Sequence, residues 1–380
     1  MSVDLILRGG RVIDPSQGID GIMDVGFAGG KVLRVAERIE AGPGTDVRDV
    51  TGRIVTPGLI DLHTHVYWGG TSLGIDADEF CRTSAVTTSI DTGSAGPGNF
   101  AGFRKHVIEP SEVRILAYLH VSFAGIYAFS KRIMVGESDD LRMMAPREAA
   151  KVADENRDVI VGIKARVGRR TSGANGATPL RYALEVADEV GMPVMLHVDD
   201  PPPAYEDVLA MLRPGDVLTH CFRPFPNAPV QAQGVIKPGV IAARERGVIF
   251  DIGHGKGSLS FKVARQMLAG GFPPDVISSD IHQLCINGPV FDQVTTLSKF
   301  LCMGMSLADV IRCSTVNAAI ALKRPELGTL KPGAVGDASI LSLESGAFDY
   351  VDVVGEVMTG KQRLFAKGVV LGGKWWHTNE

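Results

Sequence analysis

Two kinds of hydrophobic pattern divide the chain. Near both ends, short runs of alternating apolar and polar residues are punctuated by glycines. The N-terminal runs are 5–7 and 11–13 around Gly9-Gly10, then 22–27 and 31–35 around Gly29-Gly30. Runs 338–343, 363–366, 368–371 and 373–376 repeat the style near the other end. Gly-Gly between alternating runs is a hairpin signal. Both ends are therefore read as β, and together as one small sandwich-like β-domain, 1–55 with 330–380, flanking a central domain, 56–329.

The central part reads differently. Eight apolar runs, 58–63, 87–91, 113–120, 159–164, 193–197, 216–220, 247–251 and 275–279, have strand length. Helical patterns intervene, as at 146–156, 180–190, 203–212 and 261–269. Strand–helix alternation argues for a parallel sheet. Eight such units over roughly 250 residues predict an α/β fold of the (β/α)8 TIM-barrel type. A doubly wound open sheet is the alternative, but no GxGxxG opens a helix after the first strand. The Gly- and Pro-rich stretches 92–100 and 221–238 are expected to form loops over the barrel mouth.

Candidate chemistry sits at the ends of these runs. His63-Thr64-His65 closes the apolar run 54–62. Residues i and i+2 of a strand share a face, so this places two imidazoles side by side, an arrangement suited to a transition metal. Lys164, His197, His220 and Asp280 each follow or end a run of their own. In a barrel, catalytic groups come from the C-terminal strand ends, so all of these converge on one face. Singly, each has an ordinary reading: a hydrogen-bonded core histidine, a snorkelling lysine, a helix-capping aspartate. Jointly they predict a metal site. Lys164 lies within the apolar stretch 159–167, where an unpaired ammonium is costly. A desolvated lysine has a lowered pKa and becomes nucleophilic. Its neutral amine can add CO2 to give a carbamate (N6-carboxylysine), able to bridge two metals about 3.5–4 Å apart.

Composition narrows the alternatives. The chain has 380 residues, 45% hydrophobic and 22% charged, which is ordinary for a globular protein. A net charge of −4 offers no electrostatic footprint for nucleic acid. No apolar stretch approaches a transmembrane span, and Met1-Ser2-Val3-Asp4-Leu5 lacks the basic and apolar regions of a signal peptide. Cys81, Cys221, Cys285, Cys302 and Cys313 form no CxxC, so free thiols packed in a reducing cytoplasm are expected.

The run Pro57-Gly58-Leu59-Ile60-Asp61-Leu62-His63-Thr64-His65 resembles the first-strand signature of the amidohydrolase superfamily. The lysine, two histidines and aspartate follow in that superfamily's order, and the likeness covers nearly the full length. The flanking β-domain is similar to that of its hydantoinase and dihydroorotase branch. The resemblance implies one metal held by His63, His65, carbamylated Lys164 and Asp280, and another held by Lys164, His197 and His220. Histidine and carboxylate ligands suit zinc, and manganese and iron also fit. It further implies hydrolysis of an amide or ester by a metal-bridging hydroxide, with Asp280 passing its proton to the leaving group. A homo-oligomer acting on a small molecule is the family expectation.

Within the superfamily, dihydroorotases carry an arginine shortly after HxH, whereas this chain has Val66-Tyr67-Trp68-Gly69-Gly70. Mononuclear deaminases lack the lysine present here at 164. Gly162-Ile163-Lys164-Ala165-Arg166 and Gly253-His254-Gly255-Lys256-Gly257-Ser258 resemble a deacetylase subgroup that cleaves acetyl groups from α-hydroxy acids or, poorly, amino acids. Arg166 is read either as a fork for a substrate carboxylate or as half of an ion pair with a loop acid. His254 and Tyr67 are candidate substrate contacts, with His254 equally suited to a supporting hydrogen bond. His282 is read as support behind Asp280, and Trp68 as core or lid packing. The loop 253–257 lacks the Walker pattern and suits close backbone approach to a substrate. Three functions result: an acyl (acetyl) hydrolase, a cyclic amidase of the hydantoinase, dihydropyrimidinase or dihydroorotase kind, and a non-catalytic scaffold, the last disfavoured because every ligand is present.

Overall fold

The computed structural model describes residues 2–379. The N-terminal strands are β1 (Leu5–Asp14), β2 (Ile19–Ala28), β3 (Lys31–Ala36), β4 (Asp46–Asp49) and β5 (Ile54–Pro57). Then come β6 (Leu59–Thr64), β7 (Val86–Thr92), β8 (Arg114–His120), β9 (Ile160–Val167), β10 (Val194–Val198), β11 (Val217–Leu218) and β12 (Ile249–Phe250). The last strands are β13 (Ala338–Val351), β14 (Val357–Leu371) and β15 (Lys374–Thr378).

Strands from both ends of the chain share one sheet, in the order β15-β14-β13-β5-β1-β2-β3, with β4 beside β1. Gly29-Gly30 turns β2 into β3 with both residues at positive φ (56° and 77°), as a two-residue hairpin requires. Gly9-Gly10 does not make the turn expected from the sequence. It lies inside β1, where the register against β2 shifts between Leu7 and Gly10, a bulge that Gly9 accommodates at φ 73°. Leu5, Leu7, Val12, Phe27, Val55 and Ile340 form the sheet's own core.

The central strands form a parallel sheet of seven, ordered β12-β11-β10-β9-β8-β7-β6. The eighth expected strand, 275–279, is present as an extended segment without regular pairing. It bridges β12's end through Asp251–Val276, and just past it Ile281 bridges Thr64 of β6, so the curled sheet closes between its first and last strands. Backbone bonds persist, from the Ile252 amide to the Val276 carbonyl (3.0 Å) and from the His254 amide to the Ser278 carbonyl (3.2 Å), and side chains add to them: Ser278 Oγ donates to Asp251 Oδ1 (2.6 Å), and Asp61 Oδ1 accepts the Ser279 amide (2.9 Å).

Helices cover the outside. In Thr178–Val190, Leu180, Ala183, Ala187 and Val190 bury one stripe, and Gly191 at φ 68° ends the helix in the left-handed conformation. Among the described residues, no helix is long and apolar enough to cross a membrane.

One face of the parallel sheet carries Ile60, Leu62, Ile90, Tyr118, Met195 and Val217 as a buried apolar layer. Register continues that face upward to His120, Lys164, His197 and Thr219. On β6 the switch is abrupt. Asp61 pairs Ser89 but Thr64 pairs Asp91, so three steps on β6 face two on β7. That one-residue bulge turns His63 and His65 onto the same inner face as Ile60 and Leu62.

Candidate metal centre

His63, His65, Lys164, His197, His220 and Asp280 all line one cavity of about 320 Å³ at the C-terminal ends of the parallel strands. Asp280 Oδ1 lies 3.3 Å from His63 Nε2 and 3.2 Å from His65 Nε2. These three residues offer ligand atoms within 4.8 Å of one another. Lys164 Nζ stands 3.5 Å from His63 Nε2. The His220 ring centre is 5.1 Å from that of His63 and 4.5 Å from that of His197. Five of these side chains are buried, and His197 is partly buried.

Backbone conformation contributes to this convergence. His220 and Asp280 adopt positive φ, 62° and 48°, which side chains other than glycine rarely take. Gly255, at φ 50°, leaves no room for a side chain: a Cβ would stand 2.0 Å from Asp280 Oδ2. At Gly93, a Cβ would stand 2.7 Å from Lys164 Cγ. Two glycines thus let backbone press directly on two of the converging groups.

Hydrogen bonds at the far side of each ring fix where the lone pairs point. His220 Nδ1 is 2.7 Å from the Gly253 carbonyl and must donate to it, which leaves Nε2 free to accept. His63 Nδ1 is 2.8 Å from Thr219 Oγ1, and Thr219 gives its own proton to Asp251 Oδ2 at 2.7 Å. His63 therefore donates from Nδ1, and its Nε2 lone pair faces the cavity. Ser94 meets His65 Nδ1 at 2.8 Å. Buried His197 Nε2 has no hydrogen-bond partner among the described residues. Inward lone pairs, an orphaned imidazole nitrogen and a carboxylate make a donor set that fits divalent metal.

Burial sets the charges. It holds His63, His197 and His220 well below the ordinary histidine value and brings His65 down to about 3, so the imidazoles are neutral. It pushes Lys164 down to about 7, against the opposing field of Asp280, and raises Asp280 to about 6. A lysine poised between charged and neutral forms is the condition for adding CO2 near neutral pH.

The other expected contacts divide. Arg166 lines the cavity but is already paired: its Nη1 donates to Glu137 Oε2 at 3.2 Å, and it lies 5.2 Å from the Phe129 ring centre. His282 lines the cavity beside His65, ring centres 6.0 Å apart. Tyr67 does not reach the cavity; it packs on Phe103 at 4.6 Å, and its hydroxyl donates to the Asn99 carbonyl. His254 does not reach it either, because its Nε2 turns to Lys299 Nζ at 2.6 Å. Trp68 is 60% exposed, which removes the core reading. Sequence reasoning passed over Ser94, Thr219 and Asp251. Asp251 ends the seventh expected strand and Thr219 precedes His220, but lone hydroxyls and acids carry no spacing signal. It also passed over Glu137, Asp199 and Arg223, which enter the cavity from loops.

A closed parallel sheet that gathers histidines, a lysine and an aspartate at its C-terminal strand ends defines a metal-dependent hydrolase. The chain belongs to the amidohydrolase family, whose sequence profile matches residues 54–213 and 256–375. It is 34% identical over 345 residues to a deacetylase of Agrobacterium fabrum, spanning 91% of this chain and 84% of that one. A crystal structure of an adenine deaminase superposes with a TM-score of 0.91 at 29% identity, covering 99% of this chain and 100% of the other. A dihydroorotase structure gives 0.89 at 32% identity, with 98% of each chain covered. The three relatives bear three different activities in their names, so likeness of fold does not choose the substrate.

Proposed function

We propose that this chain is a binuclear metal hydrolase that removes an acyl group, acetyl foremost, from an ester or amide of a small carboxylate-bearing compound. The observation that carries the reading is Lys164: buried, pushed to about 7, and set among His63, Asp280 and the His197–His220 pair. His63, His65, Asp280 and the Lys164 carbamate would hold one ion; the same carbamate, His197 and His220 would hold the other. Zinc suits these donors. Two such ions, when bound, supply an activated water and a Lewis acid for the carbonyl.

The chain's own residues account for the rest. Asp280, raised to about 6 by burial, accepts a proton readily and releases it readily near neutral pH. The water oxygen bonds to the acyl carbon, the C–O or C–N bond breaks, and the proton taken by Asp280 goes to the leaving oxygen or nitrogen. Leu73, Ile126, Phe129 and Leu284 give the cavity an apolar wall that excludes competing water. Acyl cleavage is favoured over ring opening by the stretch after His65, where no arginine stands and Tyr67 turns away from the cavity. The deacetylase relative adds to that preference.

The test is elemental analysis of fresh protein together with turnover of O-acetyl hydroxy acids, N-acetyl amino acids, dihydroorotate and hydantoins. The expected result is about two divalent ions per chain and cleavage of the acetyl compounds. One ion or none, with no turnover after metal and bicarbonate are restored, defeats the two-metal reading. Turnover confined to ring substrates moves the assignment to a cyclic amidase.

A further inference from the structure

We infer that Arg223 is the anion receptor of this cavity, taking the carboxylate of the substrate on its guanidinium; the inference rests on the acyl-hydrolase reading and names its substrate class. Arg166, Arg170, Arg223 and Lys256 are the basic residues that line the cavity, apart from the lysine of the metal centre. Arg166 is neutralised by Glu137 at 3.2 Å. Arg170 pairs with Asp200 at 2.9 Å, and its side chain is 72% exposed. Lys256 is exposed at the rim. Arg223 differs from all of these. It is 7% exposed, and its Nε and Nη1 are enclosed without any hydrogen-bond partner among the described residues.

An unpaired buried guanidinium is costly, because it has lost water and gained nothing in exchange. Such a group persists where a ligand completes it. A planar fork of donors matches a carboxylate in two parallel hydrogen bonds. Position supports the same role. The Arg223 amide donates to the His220 carbonyl at 3.2 Å, a turn that follows directly from the left-handed His220 and seats the arginine beside the metal centre. Asp199, two residues past His197, also lines the cavity, and its Oδ2 likewise has no partner. Burial lowers the pKa of the Arg223 guanidinium, and the field of Asp199 opposes that without capping the group. The inner end of the cavity thus holds catalytic donors, its flank an uncapped cation, and its wall apolar side chains. That combination fits a compound with a scissile acyl group next to a carboxylate and an apolar substituent.

The experiment compares wild type, R223M, R223K and R166M on O-acetyl-lactate and on O-acetyl-lactamide, its uncharged counterpart, and measures lactate binding to each protein by calorimetry. Wild type is expected to favour the anion. R223M should raise KM for O-acetyl-lactate and weaken lactate binding by roughly 10- to 100-fold, with O-acetyl-lactamide turnover changed less than about threefold. R223K should fall between, and it also serves if R223M folds poorly. Failure of wild type to cleave either compound counts against the acyl-hydrolase reading alone, and the calorimetry then decides for Arg223. Equal lactate binding by wild type and R223M, no binding by either, or a larger loss in R166M overturns the inference.

Discussion

Thr219 shows how a single hydroxyl can order a metal site. It accepts from His63 Nδ1 and donates to Asp251, which burial raises to about 6. Its removal in T219V leaves His63 free to adopt the other tautomer, with a proton where a lone pair is required. Metal affinity is expected to fall roughly 10- to 100-fold, read by competition against a chromogenic chelator, with the fold intact by circular dichroism. Unchanged affinity would mean that the Gly253, Ser94 and Asp280 contacts suffice to hold the site. The converging groups themselves were legible in the sequence because histidine, lysine and aspartate are scarce at the ends of apolar runs. Thr219, Ser94 and Arg223 were not, because nothing local distinguishes a hydroxyl that orients a ligand from one that caps a turn. Tyr67 and His254 turn away from the cavity, Tyr67 to the Asn99 carbonyl and His254 to Lys299. Adjacency to a motif in sequence does not say which way a loop side chain turns.

At the scale of elements, the loop after β12 is held from behind. Lys299, on the helix Gln293–Cys302, is fully buried, and its Nζ bonds His254 Nε2 (2.6 Å), the Pro289 carbonyl (2.7 Å) and the Val351 carbonyl (2.9 Å). It therefore ties the Gly255–Ser258 loop to the helix and to the end of β13. Because Lys256 and Ser258 line the cavity, K299M is expected to lower kcat/KM about tenfold without changing metal content. A pH signature accompanies it. Burial pushes Lys299 down to about 7, while Asp352 and Asp292 work to hold it up; the adjacent His254 is neutral. The ordinary lysine value is 10.5, so between about 7 and 10.5 the unfolded chain binds more protons than the folded one. Stability from this group therefore rises with pH across that window, and below about pH 7 the full cost of burying the charge is present. From pH 7 to 9, wild type should gain about 2 kcal/mol over K299M in urea unfolding. Parallel pH curves for the two proteins would place Lys299 at its ordinary value and remove the argument. None of this was visible from sequence, where Lys299 reads as an ordinary helix lysine. The β6 bulge was hidden too, although the plain i, i+2 rule reached the right conclusion for His63 and His65 because the bulge affects both equally. Period and glycine punctuation marked the strands of the parallel sheet, whereas at the eighth segment the Ser279 amide turns to Asp61 and the Gly253 amide to Ser278 Oγ, which leaves its pairing irregular.

Across the whole molecule, the two sheets are joined rather than merely adjacent. Arg114 at the start of β8 donates to Asp337 Oδ2 at 2.6 Å, and Asp337 Oδ1 accepts the Gly372 amide between β14 and β15. The β14 amide of Leu364 donates to Ser298 Oγ on the helix that carries Lys299. Leu341, Leu364 and Val369 of the terminal sheet enter the same apolar core as Phe300 and Leu297. Metal bound at the strand ends should therefore stabilise the entire chain. The converging groups come from β6, β9, β10, the turn after β11 and the end of the extended segment 275–279, so an ion there bridges segments far apart in sequence, and unfolding must release it. An ion at a thousandfold its Kd adds about 4 kcal/mol. At roughly 2–4 °C per kcal/mol for large domains, chelation should lower the midpoint by about 8–16 °C. Scanning calorimetry with chelator, and again after zinc is restored, is expected to show one transition that moves down and returns. Two transitions, of which only one responds to chelation, would instead mean that the terminal sheet unfolds on its own and that the Arg114–Asp337 and Leu364–Ser298 contacts do not couple it to the metal centre.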